Sequence, residues 1–194
     1  MNRGMEKKTG AQVKDMIGNA LAAPAGGRYK WWHAALALAV ATAVDILQSG
    51  TQKDTRDIYK RKNEQAPWAP PAWLFGPAWT VNNIALMWGL VKILNDNGMP
   101  NRKVLLALHS GIWGIYLTFG YVYFKKRSPI LAEVWTQADA LLATASFAVA
   151  WRGNRNIALS YLPLLVWTWY ASTLSAYQVL KNEDPLFDTA APAE

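Results

Sequence analysis

The chain passes from a polar segment into a long apolar one through Pro67-Trp68-Ala69-Pro70-Pro71-Ala72-Trp73-Leu74-Phe75-Gly76-Pro77-Ala78-Trp79-Thr80. Three tryptophans and four prolines stand in these fourteen residues. Because proline fixes φ and disfavours helix in the residue before it, the stretch should hold the backbone extended and then release it into a helix. Indole rings at this point either grip a flat apolar ligand or anchor the helix at the lipid interface, where tryptophan is common. The sequence leaves both interpretations open.

On either side of this stretch, the chain divides into five apolar segments of about 20 residues, the length that crosses a bilayer core. Their predicted bounds are Trp31–Gln48, 73–94, 103–124, Pro129–Trp151 and 157–180. Their Leu and Ala content favours helices over barrel strands, which alternate with period two. Short connections after the second segment force antiparallel neighbours, whereas the long loop 49–66 is typical of a lid. The prediction is an all-α integral membrane protein, a five-helix transmembrane bundle.

Polar segments flank the predicted bundle. Residues 1–30 form a basic N-terminal extension, residues 31–181 the five-helix domain, and residues 182–194 a polar C-terminal tail. No apolar region of a secretory signal follows the first basic residues. Because the extension has only Glu6 and Asp15 as acids, it is either an organelle-targeting or matrix-facing arm or a disordered tail. The predicted localisation is therefore a multi-pass protein of a mitochondrial or other organellar membrane.

The orientation in the membrane stays open. Lys and Arg number eleven in 1–30, 92–103 and 152–155, against nine in 50–62, 125–127 and Lys181. These two sets lie on opposite sides of a five-span bundle. The positive-inside rule needs a clear excess on one side, so it does not decide which side is cytoplasmic.

Composition and motifs exclude several function classes. The chain has no cysteine, which excludes disulfides, thiolate catalysis and cysteine metal sites. The net charge of +7 comes from short basic clusters between apolar runs, a pattern that favours a membrane surface over nucleic acid. No G-x-x-x-x-G-K-[ST], H-E-x-x-H or G-x-S-x-G motif is present.

Residues 68–80 resemble the signature W-x-P-P-x-W-x-F-G-P-x-W-T of the translocator protein family (TspO/MBR, peripheral-type benzodiazepine receptor). Residues 162–174, with Pro163 and Trp167, resemble more weakly the fifth-helix pattern P-Y-L-x-W-x-x-x-A-x-x-L-N. The resemblance implies a five-helix membrane bundle that binds porphyrins, cholesterol or synthetic ligands between its helices, under the first loop. In bacterial members it also implies light-dependent porphyrin degradation, whose two pocket tryptophans align with Trp79 and Trp167. Nothing outside the resemblance indicates catalysis.

The chain departs from the family pattern at several polar positions. Gln65-Ala66 replaces a lysine-proline pair, Leu164 replaces a tyrosine, and Ser175 replaces an asparagine. In the third helix, Ser110 stands three residues before Trp113, where the family has an asparagine. Each change removes a polar group expected to line or support the pocket. Either the fold is kept while ligand binding is relaxed, or the ligand is a different one.

The third and fourth helices carry the most informative polar residues. His109, Trp113 and Tyr116 lie on one helical face. This face is either a pocket wall, with His109 as a ligand to the iron of a metalloporphyrin, or a helix-helix seam in which a neighbour satisfies the histidine. Glu133 lies close enough to the helix start to reach headgroup water. Asp139, near the middle, needs a hydrogen-bond partner or a proton, and His109 is a candidate partner.

The predicted ligand-binding residues share aromatic, small or hydrogen-bonding side chains on the faces just described. They are Trp68, Trp73, Trp79, Asn83, His109, Trp113, Trp167 and Ala171. Stripes such as that of Trp167 and Ala171 serve helix packing as well as they serve a ligand. No catalytic or metal-binding residue is assigned. A porphyrin or haem is the candidate cofactor.

Two functions remain from the sequence. The first is a membrane protein that binds a flat hydrophobic ligand, a tetrapyrrole or a sterol. The second is a structural accessory subunit of a large membrane complex, for example a respiratory or photosynthetic one. The expected partners are the lipid bilayer, a hydrophobic small molecule, and a second copy of the chain or the subunits of such a complex. The retained tryptophans favour the first function, whereas the lost polar groups and the charged N-terminal extension favour the second.

Overall fold

Five α-helices make up the bundle in the computed structural model, which describes residues 27–49 and 63–192. The helices are α1 Trp31–Ser49, α2 Phe75–Asn95, α3 Arg102–Gly120, α4 Pro129–Trp151 and α5 Arg155–Lys181. A 3₁₀ turn, Ala72–Leu74, leads into α2, and a π-helical turn, Tyr121–Lys125, extends α3. The five predicted helices are confirmed, with ends close to the predicted bounds. The predicted basic arm up to residue 26 and loop residues 50–62 lie outside the described residues.

Local sequence signals fix the helix ends. Ser128 caps α4 because its Oγ accepts from the Leu131 amide at 3.1 Å, and a proline at the first helical position suits that start. Asn154 caps α5 through its Oδ1, which accepts from the amides of Asn156 and Ile157. At the end of α2, the Arg102 guanidinium donates to carbonyl oxygens of the last turn. Because of these caps, the helices begin and end abruptly at the short connections.

The helices form a ring in the order α1, α2, α5, α4 and α3. Helix α4 packs along α5 most extensively, α3 packs on α4, and α2 packs on the other side of α5, while α1 lies against α3 and α2. Small residues allow these close approaches. On α4 the contact face is built from alanines that are almost fully buried, namely Ala132, Ala140, Ala143 and Ala150. Between α2 and α5, a side chain larger than that of Gly89 would collide with Ser160.

The apolar core occupies one half of the bundle, the half next to the α2–α3 and α4–α5 connections. Its buried residues come from the second half of α2, the first half of α3, the end of α4 and the start of α5, and include Leu86, Ile93, Leu105, Ile112, Ile157, Tyr161 and Leu164. In the half on the side of the α3–α4 connection, the apolar cluster is much smaller and is built on Tyr123 and Ala132. This asymmetry positions the candidate site.

Length and composition support membrane insertion. Within the described ranges, three helical stretches are long and apolar enough to cross a membrane by themselves: Trp31–Gln48, Arg102–Lys125 and Arg155–Lys181. Helix α2 contains Asn82, Asn83 and Lys92, and helix α4 contains Glu133 and Asp139. These polar residues lower the hydropathy of α2 and α4, which pack against the more apolar helices.

The segment after α5 folds back on the α3–α4 connection. The carboxyl of Asp184 accepts from the hydroxyl of Ser128 at 2.6 Å and from the amide of Ile130 at 3.0 Å. It also accepts from the amides of Leu186 and Phe187, within its own turn. Burial raises the pKa of Asp184, and these four hydrogen bonds lower it by more, so the pKa lies below its ordinary value.

Candidate functional site

Inward-facing aromatic residues connect α2 to α3. The ring centroids of Trp79 and Tyr116 lie 5.5 Å apart, and those of Trp113 and Tyr116 lie 5.3 Å apart. Trp79 and Trp113 also pack against the edge of the apolar core. The Tyr116 hydroxyl neighbours the side chains of Asn83 and Thr42. The structure therefore brings together three of the predicted site residues, Trp79, Asn83 and Trp113.

The helix segments that carry these aromatic side chains are only partly buried. No residue of 75–81 in α2 or of 113–119 in α3 is buried, and Ala41 is the only buried one among the described side chains of α1. Trp79 and Trp113 touch the core on one side and yet stay only half-buried. Protein interiors are normally close-packed, so the described residues of α1, α2 and α3 are packed less tightly in this half of the bundle than in the core half. We call it the open half.

A second aromatic group comes from α5. The ring of Trp167 meets that of Phe75 edge-on, with centroids 5.5 Å apart, and lies 5.9 Å from the ring of Tyr170. Ala171, one turn after Trp167, is also half-buried. Because Phe75 begins α2, this group lies at the end of the bundle where the tryptophan-proline stretch enters. Trp79 and Trp167, which the family resemblance aligns with two pocket tryptophans, thus lie on α2 and α5 respectively.

His109 lies at the core edge and has one partner. Its Nδ1 shares a hydrogen bond of 3.1 Å with the Tyr161 hydroxyl, and the two rings meet edge-on. Tyr161 on α5 is therefore the neighbour that bonds His109, and no hydrogen bond joins His109 to its predicted partner Asp139 in the structure described. The His109 Nε2 is buried without a hydrogen-bond partner in the structure described. The ring centroid of Trp113 lies 6.4 Å away, so His109 continues the aromatic group inward.

Residues 63–68, which we call the strap, lie across the end of α5. The Glu64 amide donates to Asn182 Oδ1 at 2.6 Å, and Asn182 Nδ2 donates to the Glu64 carbonyl at 3.1 Å. Tyr177 donates its hydroxyl to the Glu64 carboxylate at 2.8 Å, and Gln178 donates its amide to Gln65 at 2.7 Å. The strap is thus tied to the last two turns of α5 through backbone and side chains.

Trp68 completes this attachment. Its Nε1 donates to Thr173 Oγ1 at 3.1 Å, and its carbonyl accepts from the Tyr170 hydroxyl at 2.9 Å. Since Tyr170 also touches Trp167, Trp68 is linked to the second aromatic group. Trp73, on the 3₁₀ turn, is 71% exposed. The structure places Trp73 on the outside of the bundle, apart from the other predicted site residues.

The site includes residues outside the predicted ligand-binding set, among them Tyr116 from the helical face that the sequence indicated as a possible pocket wall. Phe75, Tyr116, Tyr161 and Tyr170 each contact a predicted residue. The signal for Tyr161 is its spacing from Ile157, Leu164 and Thr168 on one face of α5, which is also the signal of ordinary packing. Which rings touch between two helices depends on how those helices are rotated relative to each other. This rotation could not be predicted from the sequence.

A flat tetrapyrrole matches the chemistry of these walls. Aromatic rings on α2, α3 and α5 offer stacking surfaces, and few polar groups interrupt them. For a haem, the His109 Nε2 is a nitrogen without a hydrogen-bond partner, but it is enclosed by protein, so this arrangement does not present it to an iron. Within residues 27–49 and 63–192, no three His, Asp or Glu side chains come together as a metal site of their own.

An all-α bundle of five long helices, with its tryptophan-proline entry and an aromatic interior, defines a multi-pass membrane protein of the translocator type. The model of the TspO/MBR family matches residues 34–180, which span all five helices. The chain belongs to the TspO/MBR family.

Proteins from three organisms are similar to this chain at low sequence identity. The chain is 27% identical over 122 residues to a protein named tryptophan-rich protein TspO from Archaeoglobus fulgidus, covering 61% of this chain and 76% of that one. It is 25% identical over 142 residues to a protein of the same name from Chlorobaculum tepidum, covering 73% and 90%. It is 27% identical over 118 residues to the translocator protein of Ovis aries, covering 58% and 68%.

Proposed function

We propose that this protein binds one flat hydrophobic ligand, a tetrapyrrole or a sterol, between its helices in the open half and beneath the strap. The observation that carries the proposal is the state of Trp79, Tyr116 and Trp113. These side chains contact one another across α2 and α3, and they are nonetheless only half-buried. Large apolar rings that face the inside of a membrane bundle without close packing are the natural wall of a ligand site.

Each wall would contribute differently to binding. Trp79 and Trp113 offer indole faces, and stacking on such rings contributes about 0.5–1.5 kcal/mol beyond area burial. Phe75 and Trp167 form the wall nearest the entry. On α1, Ala41 is the one buried side chain among those described, and its small size lets that helix approach its neighbours closely. Walls of this kind suit a flat ligand, which has two extended faces and a thin edge.

Soret absorbance of bound protoporphyrin IX tests the proposal, with the full chain in phosphatidylcholine nanodiscs. Absorbance is preferred because removing a tryptophan also changes the emission of the protein. Trp79→Phe and Trp167→Phe should each raise the dissociation constant by roughly three- to tenfold, since a smaller ring covers less of the ligand. The matched control is Trp151→Phe, which changes an exposed ring at the end of α4. Equal dissociation constants for all four proteins would remove Trp79 and Trp167 from the site.

A second function, that of an accessory subunit in a large membrane complex, is favoured by the exposure of α1. Among the described side chains of this helix, only Ala41 is buried, so most of its surface is free to face lipid or another protein. Native electrophoresis of mild-detergent extracts, with immunodetection, separates the two functions. Migration as a monomer or dimer supports a free binding protein, whereas migration only with a very large complex supports a subunit.

A further inference from the structure

Three segments of the chain meet at one end of the bundle: the residues before α1, the α2–α3 connection and the α4–α5 connection. The Tyr29 amide donates to Asn95 Oδ1 at 2.9 Å, and Asn95 Nδ2 donates to the Tyr29 carbonyl at 2.6 Å. A Cβ on Gly153 would lie 3.5 Å from Pro100 Cβ, so the two connections also touch. These segments form one surface, which we call the basic face and which consists of residues 27–30, 92–103 and 152–155.

The charge of the basic face is almost entirely positive. Its seven Lys and Arg residues and its one acid, Asp96, give a net charge of +6. At the opposite end, residues 63–74, 121–128 and 181–192 contain four basic and four acidic residues, so their net charge is zero. The acidic residues make this difference, which the count of Lys and Arg alone does not show. The exposed basic side chains of the basic face are Arg28, Lys30, Lys103, Arg152 and Arg155.

Tryptophans indicate how deep the basic face lies. Trp31 at the start of α1 and Trp151 at the end of α4 are 73% and 43% exposed, and indole rings at the ends of membrane helices favour the headgroup region. Arg155 Cζ lies 5.0 Å from the centre of the Trp151 ring, and Lys92 Nζ lies 5.4 Å from the Trp88 ring. These cations therefore share the depth of the interfacial rings, which is the depth of the lipid phosphates.

We propose that the basic face binds the phosphate groups of anionic phospholipids in the leaflet that surrounds it. Guanidinium groups match phosphate in charge and geometry, and two of the exposed cations, Arg152 and Arg155, stand on the same short connection. The contact of Arg155 with Trp151 favours lipid over a water-soluble partner, because it holds the charge at the interface. The sequence before residue 27 adds four basic residues and two acids next to this face, and basic juxtamembrane segments are attracted to anionic lipids. This surface is independent of the proposed ligand site.

The test compares spin-labelled phosphatidylglycerol with spin-labelled phosphatidylcholine around the full chain in phosphatidylcholine bilayers. Electron paramagnetic resonance measures the fraction of each label that the protein immobilises, and the two fractions give a relative association constant. A basic group near the surface favours an anionic lipid roughly fivefold, and averaging over both leaflets should leave a preference of about threefold. The double variant Arg152→Gln with Arg155→Gln should lose roughly half of this preference. Addition of about 1 M NaCl should weaken the preference of the wild-type protein by screening.

The matched control is the double variant Lys125→Gln with Lys126→Gln, which removes the same charge from two exposed residues at the opposite end and should keep the wild-type preference. Arg152→Lys with Arg155→Lys keeps the charge and should keep most of the preference, which separates charge from structure. Equal association constants of the two labels with the wild-type protein would overturn the proposal. Equal losses in the two glutamine variants would overturn it as well, because lipid selection would then follow the charge of the whole protein.

Discussion

Polar side chains inside the bundle are of two kinds: some are hydrogen-bonded within their own helix, and others have a buried atom without a partner. Thr136, Thr168 and Ser172 each donate a hydroxyl to a carbonyl one turn earlier in their own helix, so they are satisfied wherever they point. Asn82 and Asp139 have atoms that no neighbour satisfies. From the sequence, all five are simply polar residues in apolar segments. The structure shows which of them are bonded within their own helix and which have an unpartnered atom.

Asp184 should make the stability of the protein fall in acid. Its pKa in the folded state lies below the ordinary value, so its hydrogen bonds stabilise the fold above about pH 4, the unfolded pKa, and this contribution is lost as the pH falls through the folded pKa. Asp184→Asn should lower the melting temperature by several degrees at neutral pH, because an amide cannot accept all four bonds. Melting curves between pH 3 and 7 measure both effects.

The neighbouring residue Asp188 is exposed and provides the control. Asp188→Asn should leave the melting temperature and its pH dependence close to those of the wild-type protein. If Asp184→Asn and the wild-type protein lost stability in parallel as the pH fell, some other carboxyl would be responsible for the acid sensitivity.

Sequence reasoning succeeded for the helices for a physical reason. Each predicted span is an apolar run bounded by strong local signals, such as Ser128-Pro129 before α4 and Asn154 before α5. Lipid requires every backbone group to be bonded within its own segment, so a long apolar run has few alternatives to a helix. The π-helical turn at Tyr121–Lys125 was not predicted, because its bonding pattern differs from that of an α-helix by only one residue.

The contact between α2 and α5 depends on Gly89. A Cβ at this position would collide with Ser160, whose hydroxyl is bonded to the Ile157 carbonyl at 2.7 Å. Gly89→Ala should therefore destabilise the protein by about 1–3 kcal/mol through overpacking. The double variant Gly89→Ala with Ser160→Gly removes the obstructing side chain and should recover much of the loss. Thermal denaturation of the four proteins measures this coupling, and strictly additive losses would contradict the contact.

The strap should control how fast a ligand leaves. Asn182→Ala removes both hydrogen bonds to the Glu64 backbone and should loosen the strap while leaving the aromatic walls in place. Dissociation of bound protoporphyrin IX, followed after mixing with excess apomyoglobin as an acceptor, should become roughly fivefold faster, as expected for the loss of about 1 kcal/mol. Asn97→Ala, in the exposed α2–α3 connection, is the control. An unchanged dissociation rate would mean that the ligand leaves by another route, for example between helices.

At the scale of the whole molecule, the bundle combines a packed half with an open half. The core between α2, α3, α4 and α5 holds the helices in register, and the tight pair of α4 and α5 forms the frame. Helix α1 borders the open half, with Ala41 as the one buried side chain among those described, and the strap lies across the end of α5. The helices that border the open half are held elsewhere along their length, so the fold does not depend on tight packing there.

The candidate site could be predicted only in part. The tryptophans at 79, 113 and 167 were selected because large rings in a membrane segment are conspicuous, and the structure places each of them in an inward-facing contact. Trp73 was selected on the same grounds and is exposed. Whether a ring points inward depends on how its helix is rotated, which packing against other helices decides. Neither the sequence nor the structure identifies a ligand, so the ligand stays a proposal.

Competition between two ligands at equilibrium tests the central claim, a single ligand site between the helices, most directly. Protoporphyrin IX is titrated into the protein in nanodiscs at several fixed concentrations of dehydroergosterol, with empty nanodiscs as the blank. One shared site predicts saturation at one porphyrin for each chain and an apparent dissociation constant that rises linearly with sterol. Porphyrin uptake that never saturates beyond the blank, or that is indifferent to the sterol, would contradict a shared site between the helices.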